Sequence, residues 1–174
     1  MKKMINMSLV MALFTVFTHS FTACNKDDEA QKDMQQPVIS DEGIVANPVN
    51  CQQYHAGDII PFHYVMTDNQ ELGAYSIEIH NNFDHHSHST EADDHDHESG
   101  ECDDNDEHEH EHSEGQAWVY IQDFTIPAGL LRYEARHDIQ IPAGVAPGDY
   151  HFMIRLTDRA GWQQLHAVAV KILE

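Results

Sequence analysis

Between His80 and Gly115 the chain carries nine histidines and fourteen aspartates or glutamates, with no lysine or arginine. Imidazole nitrogen among carboxylate oxygens suits borderline divalent ions, Zn(II) first and Cu(II) or Ni(II) after it; Ca(II) would call for oxygen without so much nitrogen. In an extended chain, residues two apart face the same way. His86 with His88, His95 with His97, and His108 with His110 and His112 can therefore each close on one ion, whereas adjacent His85 and His86 point apart. The sharpest candidate is the group His80, Asp84, His86 and His88, because its first member ends a strand that can hold it rigid. Four such ligands complete a tetrahedral zinc shell, or leave one position for water with Asp84 bracing an imidazole. The groups from His95 to His112 are read as weaker, interchangeable chelates that raise the local metal concentration. The competing explanation is an acidic solvated spacer, and repeated His-x-His in an acid background favours metal over it.

Other chemistry finds less support. Thirty acids against nine bases, a formal charge of −21, exclude nonspecific binding to nucleic acid. There is no Gly-x-Ser-x-Gly, no phosphate-cradling glycine loop and no helical setting for a His-Glu-x-x-His zinc motif, so the chain is read as a binding protein and not an enzyme. Cys51 and Cys102 either form a disulfide across about 52 residues or leave a thiolate as an extra metal ligand. His63, His137, His151 and His166 fall in strand-like segments and are read as surface or internally satisfied histidines. Trp118 and Trp162 read as packing or turn residues, and Asp158 and Gly161 as turn chemistry.

The N-terminal residues read as an address. Lys2 and Lys3 precede an apolar run from Met4 to Phe17, too short for a comfortable membrane span but ordered like a secretory signal. Phe21-Thr22-Ala23-Cys24 resembles a bacterial lipobox, which implies a signal peptide over 1–23 and lipidation of Cys24. Asn25-Lys26-Asp27-Asp28-Glu29 is similar to the surface-export tag of Bacteroidetes lipoproteins and implies the outer face of the outer membrane, with the periplasmic face as the alternative. Residues 24–36 then read as a polar tether.

The elements that must position these ligands are strands. From Pro37 onward the apolar pattern has period two, in runs bounded by Gly, Pro, Asp and Asn. Ile60, Phe62, Tyr64 and Met66 share one face of a strand over 58–66, where Pro61 predicts an edge or an irregular start. Tyr75, Ile77 and Ile79 oppose Ser76, Glu78 and His80 over 74–80. Further strands are predicted over 117–126, 133–141, 150–157 and 165–173, and a first one over 38–46. Val65-Met66-Thr67-Asp68 and Arg155-Leu156-Thr157-Asp158 echo each other, each an apolar strand running into a Thr-Asp turn. About seven strands predict an all-β, immunoglobulin-like sandwich over 37–174, interrupted by the His/Asp/Glu-rich loop 81–115. Such a loop exceeds ordinary lengths and is expected to be a solvated insertion.

Glu78-Ile79-His80-Asn81-Asn82-Phe83-Asp84, followed by His86 and His88, together with Tyr150-His151-Phe152-Met153-Ile154-Arg155-Leu156-Thr157-Asp158, resembles a Bacteroidetes lipoprotein family known as domain of unknown function 4625. The resemblance runs from about Pro37 to the C-terminus. It implies an immunoglobulin-like sandwich on a lipid anchor, places His80, Asp84, His86 and His88 in the family's histidine motif, and carries no activity. The acidic extension after Thr90 looks particular to this chain. The function expected is capture or buffering of zinc-like ions at the cell surface, with an outer-membrane receptor or transporter as a partner for transfer. The alternative is an adhesion or accessory module that binds a protein or glycan, with the acidic tract as a spacer.

Overall fold

Alternating apolar and polar residues fold into eight strands and, among the described residues, no helix. The structure is a computed structural model that describes residues 32–83 and 115–174. The strands are β1 (Val38–Ser40), β2 (Gln52–His55), β3 (Ile59–Thr67), β4 (Leu72–Asn81), β5 (Tyr120–Thr125), β6 (Arg132–Gln140), β7 (Gly148–Asp158) and β8 (Gln163–Leu173). One sheet has the order β1-β3-β6 and the other β2-β8-β7-β4-β5. All ladders are antiparallel except β2 on β8, which is parallel.

Two features make the sandwich immunoglobulin-like. The chain passes from β1 in the first sheet to the short β2 in the second, beside the final strand, and the fully buried Tyr150 near the start of β7 donates its hydroxyl to Ala146 O at 2.8 Å. That hydrogen bond, back to the chain four residues upstream, is the tyrosine corner of such folds.

The predicted faces hold. Ile60, Phe62, Tyr64 and Met66 of β3 are buried, as are Tyr75, Ile77 and Ile79 of β4 and Tyr150, Phe152, Ile154 and Leu156 of β7. Phe62 bridges the layers, stacking on Tyr75 and Phe152 with centroids 6.4 and 5.8 Å away. Pro61 lies where β3 pairs only with β6. The side that lacks a neighbour is the one toward which His63 N, two residues on, donates to Asn47, so the missing Pro61 N–H leaves no ladder bond unmade.

One expectation needs correction and one is extended. The predicted first strand over 38–46 is only three residues long, ending at Ser40, and the turn around Gly43 follows it. Beside the seven expected, Gln52–His55 adds an eighth strand among the described residues that composition hides: only Tyr54 of its four residues is buried. A four-residue parallel edge strand needs one inward side chain, too few to show a period.

Candidate metal centre

His80 lies near the end of β4, on its outer face with Ser76 and Glu78, because parity along the strand commits Tyr75, Ile77 and Ile79 to the core. Its Nδ1 is 3.2 Å from Glu78 Oε1. Directly across the ladder from His80 stands His151 of β7, the two rings 5.5 Å apart between centroids and tilted by 57°. Two imidazoles on one tetrahedral zinc, with Zn–N near 2.0 Å, hold their centroids about 5 Å apart. The pair therefore sits at a separation one ion can bridge, with the Glu78 carboxylate alongside.

The same end of the sandwich fixes both stems of the histidine and acid tract. Asn82 N donates to Asp149 O at 2.8 Å, and the Phe83 ring stands edge-on to Tyr150 at 5.5 Å. Gly148, at φ +138°, admits that ring: a Cβ there would lie 2.7 Å from Phe83 Cε1. On the return, a Cβ on Gly115, at φ +147°, would lie 2.6 Å from Ala146 Cα, and Gln116 exchanges hydrogen bonds with Gly144 and Ala146. The chain thus leaves and re-enters the fold against one short segment, residues 144–149.

Of the ligands read from the sequence, His80 is placed at this end. Asp84, His86, His88, His95, His97, His108, His110 and His112 lie outside the described residues, as do Cys24 and Cys102. Cys51 is disulfide-bonded, with its partner cysteine outside the described residues. Its N–H donates to Ala169 O at 2.8 Å, and Ala169 is paired with His151, so Cys51, Ala169, His151 and His80 form one row across the sheet. Sequence reasoning passed over His151 as a candidate ligand. Its parity, opposite to that of Tyr150 and Phe152, was visible; its pairing with a histidine seventy-one positions away was not.

Three other strand histidines, His63, His137 and His166, make their contacts within the fold. His63 Nε2 lies 2.8 Å from Glu134 Oε1 and Nδ1 lies 3.1 Å from Val45 O. Hydrogen bonds from Arg136 and His63 hold the Glu134 carboxyl below its ordinary range. His137 stacks on Phe124 and hydrogen-bonds the Tyr75 hydroxyl, while His166 packs against Tyr64. Burial lowers both imidazole pKa values, opposed at His166 by the charge of Asp41. Burial also pushes the Tyr54 and Tyr64 phenols up to about 12, so both are neutral hydrogen-bond donors and supply no anionic ligand.

No curated protein matches the chain. The family model that matches is described as a domain of unknown function, DUF4625, and it covers residues 22–173, fifteen positions upstream of where the resemblance in the sequence starts. With residues 22–173 matched, a span that takes in all eight strands and both stems of the histidine tract, the chain belongs to the DUF4625 family.

Proposed function

We propose that this chain is a cell-surface lipoprotein of the outer membrane, anchored through Cys24, that binds divalent transition metal, zinc first, for capture or buffering. The observation that carries the metal reading is the pairing of His80 with His151 beside Glu78, at the point where the chain departs into the tract. A rigid sheet holding two imidazoles in register lowers the ordering cost of recruiting Asp84, His86 or His88 to the same ion. The distal histidines then supply exchangeable sites at high local concentration. The anchor and the surface address rest on the lipobox-like and acidic segments after residue 20. Transfer to a membrane receptor or transporter is the natural use of such a store.

Calorimetric titration with Zn(II) tests this. The full chain is compared with a variant lacking residues 85–114 and with His80→Ala and His151→Ala. A tight site that weakens at least tenfold in both single variants, with residual weaker binding from the tract, is the expected result. Zinc affinity no greater than that of a generic acidic protein, or unchanged in all variants, would sink the proposal. Because imidazoles release metal on protonation, occupancy should fall between about pH 7 and pH 5.

A specific observation also keeps the partner-binding alternative open. Val119, just ahead of the edge strand β5, and Ile121, on that strand across from Glu78, are both exposed. A partner docked there would make Val119→Asp with Ile121→Asp abolish cell-surface capture of that partner without changing zinc affinity.

A further inference from the structure

At the end of the sandwich opposite the histidine tract, Asp33, Asp68 and Asp158 each offer a carboxylate oxygen, all within 4.8 Å of one another. They come from three separate places: the segment before β1, the β3–β4 turn and the end of β7. Asp33 and Asp158 are buried, at 5% and 4% exposure. The turns explain half of the chemistry. Asp68 Oδ1 accepts from Gln70 N and Glu71 N at 2.8 and 2.6 Å, and Asp158 Oδ1 accepts from Gly161 N and Trp162 N at 2.6 and 2.8 Å. These are the two Thr-Asp turns whose sequences echo each other. The other half is left over: Asp68 Oδ2 and Asp158 Oδ2 are buried without any hydrogen-bond partner.

Turn formation needs one oxygen of each side chain, and asparagine would supply it. A second buried, unpartnered carboxylate oxygen is costly unless a cation takes it. Among the described residues none of the three carboxylates has an ion-pair partner; Arg159, the nearby cation, is turned to Glu71 at 3.4 Å. Asp33 is held in place by Asn69 Nδ2, which donates to its Oδ1 at 3.2 Å, and by Trp162 Nε1, which donates to its carbonyl at 3.1 Å.

We infer that Asp33, Asp68 and Asp158 form a Ca(II) site that clamps the polar segment ahead of β1 onto the sandwich. The set is all oxygen, and oxygens on one calcium at 2.3–2.6 Å lie no more than about 5 Å apart, the span seen here. Backbone carbonyls and water complete the shell. The site is distinct from the histidine centre in position and in ligand softness, so the two stand or fall separately.

The test uses the full-length protein in detergent with Tb(III), a calcium stand-in excited through Trp162, and then Ca(II) as competitor. Terbium luminescence should saturate and be displaced by calcium, and it should fall at least tenfold in Trp162→Phe and in Asp68→Asn with Asp158→Asn. Asparagine keeps the turn-forming Oδ1, and Asp33→Asn, outside all strands, serves if those variants misfold. In EDTA the Asn variants should melt at or above the wild type, since carboxylate repulsion is relieved; in calcium the wild type alone should gain several degrees. His80→Ala should leave both readouts unchanged. Equal calcium-induced melting shifts in wild type and Asn variants, or terbium signal indifferent to Trp162→Phe, would overturn the proposal by placing the calcium elsewhere.

Discussion

His137 and His166 show what burial does to a single ring. Each occupies an inward position of its strand, the first against Phe124 and the second against Tyr64, where a charged imidazolium would lose its hydration. Burial is the leading cause of both lowered pKa values. The unfolded chain, with histidines near 6.5, therefore binds more protons than the folded one as pH falls. The stability these neutral rings contribute is present in full above about pH 6.5 and is lost as pH falls through the lowered folded-state values. Urea unfolding in EDTA should show a midpoint that declines from pH 7 to pH 5. His166→Phe keeps the ring packing and should remove part of that decline; an unchanged slope would assign the acid sensitivity elsewhere. Parity made these assignments legible: Tyr133, Ala135 and Ile139 commit odd positions of β6 to the interior, His137 among them.

At the scale of the elements, Gly73 ties β4 to β7. The ladder slips between Leu72 and Ala74, and a Cβ on Gly73 would lie 2.8 Å from Thr157 O and 2.9 Å from Asp158 O, backbone atoms that cannot turn aside. Gly73→Ala should cost about 1–3 kcal/mol, as overpacking does. Gly144→Ala meets open space and should be neutral or stabilise by up to about 1 kcal/mol. Equal urea midpoints for the two variants would refute this contrast. The long strands were readable because nine to eleven residues repeat the apolar period several times, as Ile60 to Met66 and Tyr150 to Leu156 do. Pairing was not readable, since no local pattern says that His80 faces His151 or that two Thr-Asp turns meet. Nor was the burial of Asp33, because a polar run has the composition of a tether until a distant Asn69 and Trp162 fix it.

For the whole molecule, the two stems of the tract decide how it burdens the fold. Phe83 and Gly115 both pack on residues 144–149, so a short linker can join them. In a Cys51→Ser background, which removes the disulfide from the comparison, replacing residues 85–114 by about eight Gly/Ser residues shortens the loop by roughly two doublings. Loop-closure entropy then predicts stabilisation by about 1 kcal/mol, with relief of like-charge repulsion adding to it. A loss of more than about 2 kcal/mol in urea unfolding would mean that the tract packs on the sandwich.

The chain enters the sandwich at Asp33, beside the turns that end β3 and β7, whereas His80 and both stems of the tract lie at the other end of β4. Eight residues of strand, about 26 Å, separate the two. On the proposed reading, the end of the domain that receives the N-terminal segment is the one the aspartates would brace, and the imidazole pair would be carried at the far end of β4, so that fastening and ion capture would fall to opposite ends of one strand.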